Sequence, residues 1–109
     1  MSSIGKGKVR HAVFFWLRNP ESRADRDRLV AGLERLREIE QVRSLDIGVP
    51  ADTEQRDVVD GSFSVSELML FDSLADQAAY QIHPMHRRFV EECEELWREV
   101  RVYDSVDCD

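Results

Sequence analysis

The chain has 109 residues, 42% of them hydrophobic and 34% charged, and carries a net charge of −7. That composition describes one soluble globular domain, long enough to bury a single core without disulfides. The acidic balance argues against a nucleic-acid footprint and against attraction to anionic membranes.

In chain order, residues 1–7 are polar and read as a flexible tail with no signal-peptide apolar region behind it. Lys8 to Arg18 reads as a strand with two apolar faces. Val9, His11, Val13, Phe15 and Leu17 point one way; Arg10, Ala12, Phe14 and Trp16 point the other. Its run from Ala12 to Leu17 is the longest apolar stretch of the chain and is far too short to span a bilayer. A helix follows over residues 19–40, with Leu29, Val30, Leu33, Leu36 and Ile39 as its apolar stripe. Asn19 suits the N-cap with Pro20 at the first helical position; a later start at Ser22, with Asp25 three residues on, suits it too. Gly32 in mid-helix costs about 1 kcal/mol against Ala, and close approach to a sheet is one reason for it.

Arg43 to Val49 reads as a second strand ended by Pro50, and 51–61 as a polar, acidic loop. Ser62 to Phe71 reads as a third strand, with Phe63, Val65, Met69 and Phe71 on one face and Leu68 and Leu70 on the other. Ser73 and Asp76 stand at capping-box spacing and open a short helix. A second helical piece restarts at His83-Pro84 and carries Phe89, Val90, Cys93, Leu96 and Trp97 as its apolar side. Val100, Val102 and Val106 alternate in a last strand, and 107–109 is a tail. Cys93 reads as a small buried hydrophobe. With Cys108 it forms no CxxC and no zinc spacing, which fits a reducing, cytoplasmic setting.

The order β-α-β-β-α-β over residues 8–106 predicts an α+β, ferredoxin-like domain: a four-stranded antiparallel sheet with the helices on one face. Two helices can cover only one face of a four-stranded sheet. Phe14, Trp16, Leu68 and Leu70 are therefore left over, and a homodimer packing sheet on sheet is the simplest way to cover them.

The segments "VRHAVFFWLR", "LFDSLADQAAYQIHPMHRRFVEE" and "VRVYDSV" resemble the stress-responsive dimeric α/β-barrel (Dabb) family. The strand-1 histidine, the acid-Ser pair after strand 3 and the H-P-x-H corner carry the resemblance, which spans about residues 8–106. It implies a homodimer in which two sheets close a barrel. One branch, similar to the plant polyketide cyclase that makes olivetolic acid, runs an aldol condensation with no metal or organic cofactor. Its active positions fall here on His86 and Tyr80 as the catalytic pair, with His11 lining the pocket. A fourth polar position, also a histidine there, aligns with Val65, so the chain departs from the cyclase at that point.

The residues' own chemistry agrees with a polar corner. Pro84 suits the first helical position, which makes His83 an N-cap and His86 the third helical residue. A first-turn histidine sits at the positive end of the helix dipole, which lowers its pKa and favours the neutral imidazole a general base needs. Tyr80 can donate to a carbonyl oxygen as it gains charge. His83 and His86 make a weak metal pair with no carboxylate to complete it. No cofactor is expected. Three readings stand: a dimeric binding protein with a small-molecule pocket for a carbonyl or aromatic ligand, a cofactor-free cyclase or isomerase, and a purely structural oligomer. The enzyme reading calls for His11, Tyr80 and His86 to converge on a cavity of ~300 Å³ or more.

Overall fold

Strict alternation in "VRHAVFFWL" builds the central strand β1, Val9–Leu17, whose odd-numbered side chains are all buried and whose even-numbered ones are half-buried or exposed. A computed structural model describes residues 8–108; the tail expected over 1–7 and the last residue lie outside the described residues. After β1 come α1 (Arg23–Arg35), β2 (Ser44–Gly48), β3 (Val65–Phe71), α2 (Leu74–Gln81), α3 (Pro84–Cys93) and β4 (Trp97–Val106). Single 3₁₀ turns at Leu36–Glu38 and Glu94–Leu96 close α1 and α3. The sheet is antiparallel with strand order β2-β3-β1-β4. The ferredoxin-like α+β fold expected from the sequence is the fold observed.

Side-chain oxygens set two of the helix starts and a ring nitrogen sets the third. Ser22 Oγ accepts from Asp25 N at 3.1 Å, so α1 begins at Arg23 and not at Pro20. The Asn19 start gives way because Ser22 N bonds Asn19 O at 3.0 Å, which folds 19–22 into a turn. Ser73 Oγ accepts from Asp76 N at 3.0 Å and starts α2. His83 Nδ1 accepts from Met85 N at 3.0 Å, with Pro84 at the first helical position, and starts α3.

The core lies between one sheet face and the helices. Leu29, Leu33, Leu36, Ile39, Leu45 and Met69 fill its α1 side, each contributing about 1.5–3 kcal/mol on full burial. Gly32 is explained by a close approach, but to α3 and not to the sheet. A Cβ built there would stand 2.8 Å from Cys93 Sγ and 3.1 Å from a Phe89 ring carbon. Cys93 is buried, as expected of a small hydrophobe, and both cysteines are free.

Two elements differ from expectation. Phe63 does not share the Val65 face. Ser64 N donates to Phe15 O at 2.7 Å and Ser64 Oγ accepts from Leu17 N at 3.1 Å, and the chain bends there before β3 begins. The bend breaks the two-residue period and puts the Phe63 ring 5.1 Å from Phe14, on the opposite face. Trp97 opens β4 instead of continuing α3. It pairs with Leu17 across a register shift, and its ring lies 5.0 Å from Phe15, where a broad aromatic fits the pleated surface.

The second sheet face has no helix over it. Leu68 and Tyr103 stand 40% and 59% exposed there, beside half-buried Phe14 and Trp16. Phe63 and Ser62, whose Oγ accepts from Trp16 Nε1 at 2.9 Å, cover its edge. Asp107, read from sequence as tail, turns back to pair with Arg10.

Candidate functional site

Parity along β1 places His11 on the helix-facing side, 4% exposed. Its Nδ1 is 2.6 Å from Asp104 Oδ1 on β4, the residue directly opposite it in the register. A carboxylate only accepts, so Nδ1 carries the proton in that contact and Nε2 is the free nitrogen of the neutral ring. Gln77 Nε2 on α2 lies 3.2 Å from the same Nδ1.

Tyr80, near the end of α2, is 1% exposed, and its ring centroid lies 4.7 Å from His86, 6.0 Å from His11 and 5.2 Å from Phe71. Burial pushes the Tyr80 hydroxyl well above the usual phenol range, so it stays a donor. His86 is the third residue of α3 and half-buried. Its pKa is lowered, the direction expected of a first-turn histidine, but the leading cause is burial. A backbone hydrogen bond at Gln81 works against the shift and His11 adds to it. The neutral imidazole is therefore the form present near neutral pH.

His11, Tyr80 and His86 line one cavity, together with Phe15, Phe89 and Trp97. Its volume is about 120 Å³, so the convergence that the enzyme reading calls for is met but its ~300 Å³ is not. It is closer to the ~150 Å³ cavity that holds a single benzene ring. The three residues are brought together in a space fit for a small molecule. His83 stands apart, its Nδ1 committed to capping α3. Val65, the position at which the chain departs from the cyclase resemblance, is fully buried and faces Phe15 across the ladder. Among the described residues no three His, Cys, Asp or Glu side chains gather as a metal set.

Glu67 joins these residues although no motif marks it. It is 3% exposed, lines the same cavity, and its Oε2 has no hydrogen-bond partner among the described residues. Burial raises its pKa to about 8. The signal was present: Glu67 has the same parity as Val65, Met69 and Phe71, which makes it an acid on the buried face. Asp104 and Gln77 were missed for a different reason, since only the β1–β4 register and the docking of α2 bring them to His11.

The family described as "Stress responsive A/B Barrel Domain" (Dabb) has a sequence profile that matches residues 9–107. No curated protein sequence matches the chain. Among solved structures, a Dabb family protein with a ferredoxin-like fold from Mesorhizobium loti is similar at 21% identity and TM-score 0.78, covering 95% of this chain and 100% of that one. A hydroxynitrile lyase from Passiflora edulis is similar at 23% identity and TM-score 0.77, covering 94% of each chain. A dimeric ferredoxin-like protein of unknown function from Thermobifida fusca is similar at 16% identity and TM-score 0.73, covering 92% of this chain and 91% of that one. No helix among the described residues is long and apolar enough to cross a membrane.

Proposed function

The chain belongs to the stress responsive A/B barrel domain (Dabb) family, and from that premise we propose that it is a homodimer whose cavity binds a small carbonyl compound and moves a proton on it without a cofactor. One observation carries the reading: His11, Tyr80 and His86 line one mostly apolar cavity, in a fold whose similar structures include one named a hydroxynitrile lyase. His86, neutral, is the general base. It takes the proton from the carbon beside the carbonyl, and the C–H electron pair becomes the carbon–carbon double bond of an enolate. The oxygen that receives the charge is hydrogen-bonded by the Tyr80 hydroxyl. Carbon–carbon bond formation or isomerisation follows from that enolate. The small volume favours a small carbonyl over a long polyketide chain.

Deuterium exchange beside the carbonyl of cyclopentanone, followed by proton NMR in D2O, tests the reaction. Wild type is expected to accelerate the exchange, Tyr80→Phe to lose about ten-fold or more of that acceleration, and His86→Ala to fall to the buffer rate. A wild-type rate equal to buffer, or His86→Ala equal to wild type, overturns it.

The dimer is proposed to form through the sheet face that carries Phe14 and Trp16, supported by their half-burial on a face with no helix and by similar structures described as dimeric. Light scattering is expected to give a dimer, and Phe14→Glu a monomer. A large particle would favour the structural-oligomer reading, and a wild-type monomer would remove the interface.

A further inference from the structure

Glu67 is an acid in the wrong place for an ion. It stands on β3, a strand flanked on both sides, 3% exposed, with Oε2 unpartnered. No Arg or Lys lines the cavity it faces. The groups that face it from the elements packed around it are His11 on β1, with Asp104 of β4 behind it, Tyr80 on α2 and His86 on α3. From β2 come only Leu45 and Ile47, and the buried positions of α1 are Leu29, Gly32 and Leu33. An unpaired buried carboxylate is costly, whereas the protonated acid leaves one O–H in need of an acceptor.

We infer that Glu67 is held as a carboxylic acid whose O–H donates to the ligand, so that the cavity selects a neutral compound bearing an acceptor oxygen and rejects both amines and carboxylates. The selection follows from charge. A cationic ligand needs an ionised Glu67, and an anionic one needs a fixed positive charge, which a lining without Arg or Lys does not supply. Desolvation pushes the acid in the same direction, up to about 8. The inference rests on the reading of the cavity as a small-carbonyl site and narrows it. The donor at the oxygen end is then Glu67 as well as Tyr80, with His86 left free to take the proton.

Three probes of one size separate the cases: cyclopentanone, cyclopentylamine and cyclopentanecarboxylate, titrated at pH 6 by NMR shift perturbation. Cyclopentanone is expected to bind wild type about ten-fold tighter than either charged probe. Glu67→Gln, which keeps a donor, is expected to bind it within about three-fold of wild type, and Glu67→Leu about ten-fold more weakly. The chemical shift of the Glu67 carboxyl carbon reports the protonation state without any ligand and is expected to be that of the acid at pH 6. Equal binding of cyclopentanone by wild type and Glu67→Leu, a preference for cyclopentylamine or for the carboxylate, or an ionised Glu67 at pH 6 each overturns this inference alone. Binding of none of the three overturns the small-carbonyl reading and this inference with it.

Discussion

The core has two halves that use the same sheet for opposite purposes. On the α1 side, Leu29, Leu33, Leu36, Ile39, Leu45 and Met69 are each 3% exposed or less and carry no polar side-chain atom. On the side of α2, α3 and β4, the same layer holds His11, Glu67, Tyr80 and His86 around a cavity. Packing density is the rule in protein interiors and voids lose contacts outright. A half that keeps a void and places four hydrogen-bonding groups on it therefore sacrifices stability that the other half supplies. Stability belongs to the α1 side, and the proposed proton chemistry to the other.

Glu67→Gln breaks that contrast most visibly. Glu67 has a folded pKa of about 8 against an ordinary 4.5, so between those values the folded state binds more protons than the unfolded. The contribution of Glu67 is then complete below pH 4.5, is lost as pH rises to about 8, and is flat above. The slope is at most about 1.4 kcal/mol per pH unit. Glu67→Gln removes the titration, so urea denaturation at pH 5, 7 and 9 is expected to show the variant gaining on wild type at each step. Parallel profiles would mean that Glu67 is not buried as an acid.

Gly32→Ala tests the other half. Alanine gains about 1 kcal/mol in helix propensity, but its Cβ would meet Cys93 Sγ at 2.8 Å. Overpacking of this kind costs about 1–3 kcal/mol, so a net loss of stability is expected with no change in the pH profile. Cys93→Ala in the same chain should recover much of it, the coupling expected of side chains in direct contact. A stabilised Gly32→Ala would show that α1 and α3 are not closely packed at this point.

The dry half was the more legible in sequence. The stripe Leu29, Leu33, Leu36 follows from helical period, and the four-stranded antiparallel sheet from the βαββαβ pattern. Ser73 announced α2 through its spacing to Asp76, and Pro84 fixed His86 at the third position of α3. The polar half was read in part. Tyr80, His86 and His11 were singled out, but Glu67 was skipped among apolar neighbours although period two put it inward. Asp104 lies 93 residues from His11 and meets it only through strand pairing. Phe63 and Trp97 were misplaced because a bend at Ser64 and a register shift beside Leu17 interrupt the local period, and neither leaves a trace in residue type.

The smallest expected effect bears on the opposite end of the pH scale. His86 has its pKa lowered, chiefly by burial, so the folded state holds fewer protons than the unfolded as pH falls below 6.5. Its contribution is complete above that value and is lost on acidification through the folded pKa. The ring is half-buried, so solvent screening keeps the change below about 1 kcal/mol. His86→Phe keeps an aromatic ring against Tyr80 and removes the titration. Between pH 7 and pH 5 the variant is expected to lose less stability than wild type, a difference measurable by urea midpoints at constant ionic strength. Glu67 and His86 would then destabilise the fold in opposite directions of pH, the acid when it ionises and the base when it is protonated. If both groups face one cavity, Glu67→Gln and His86→Phe together should flatten the profile from both ends, and a double variant as pH-sensitive as wild type would place the titrating groups elsewhere in the chain.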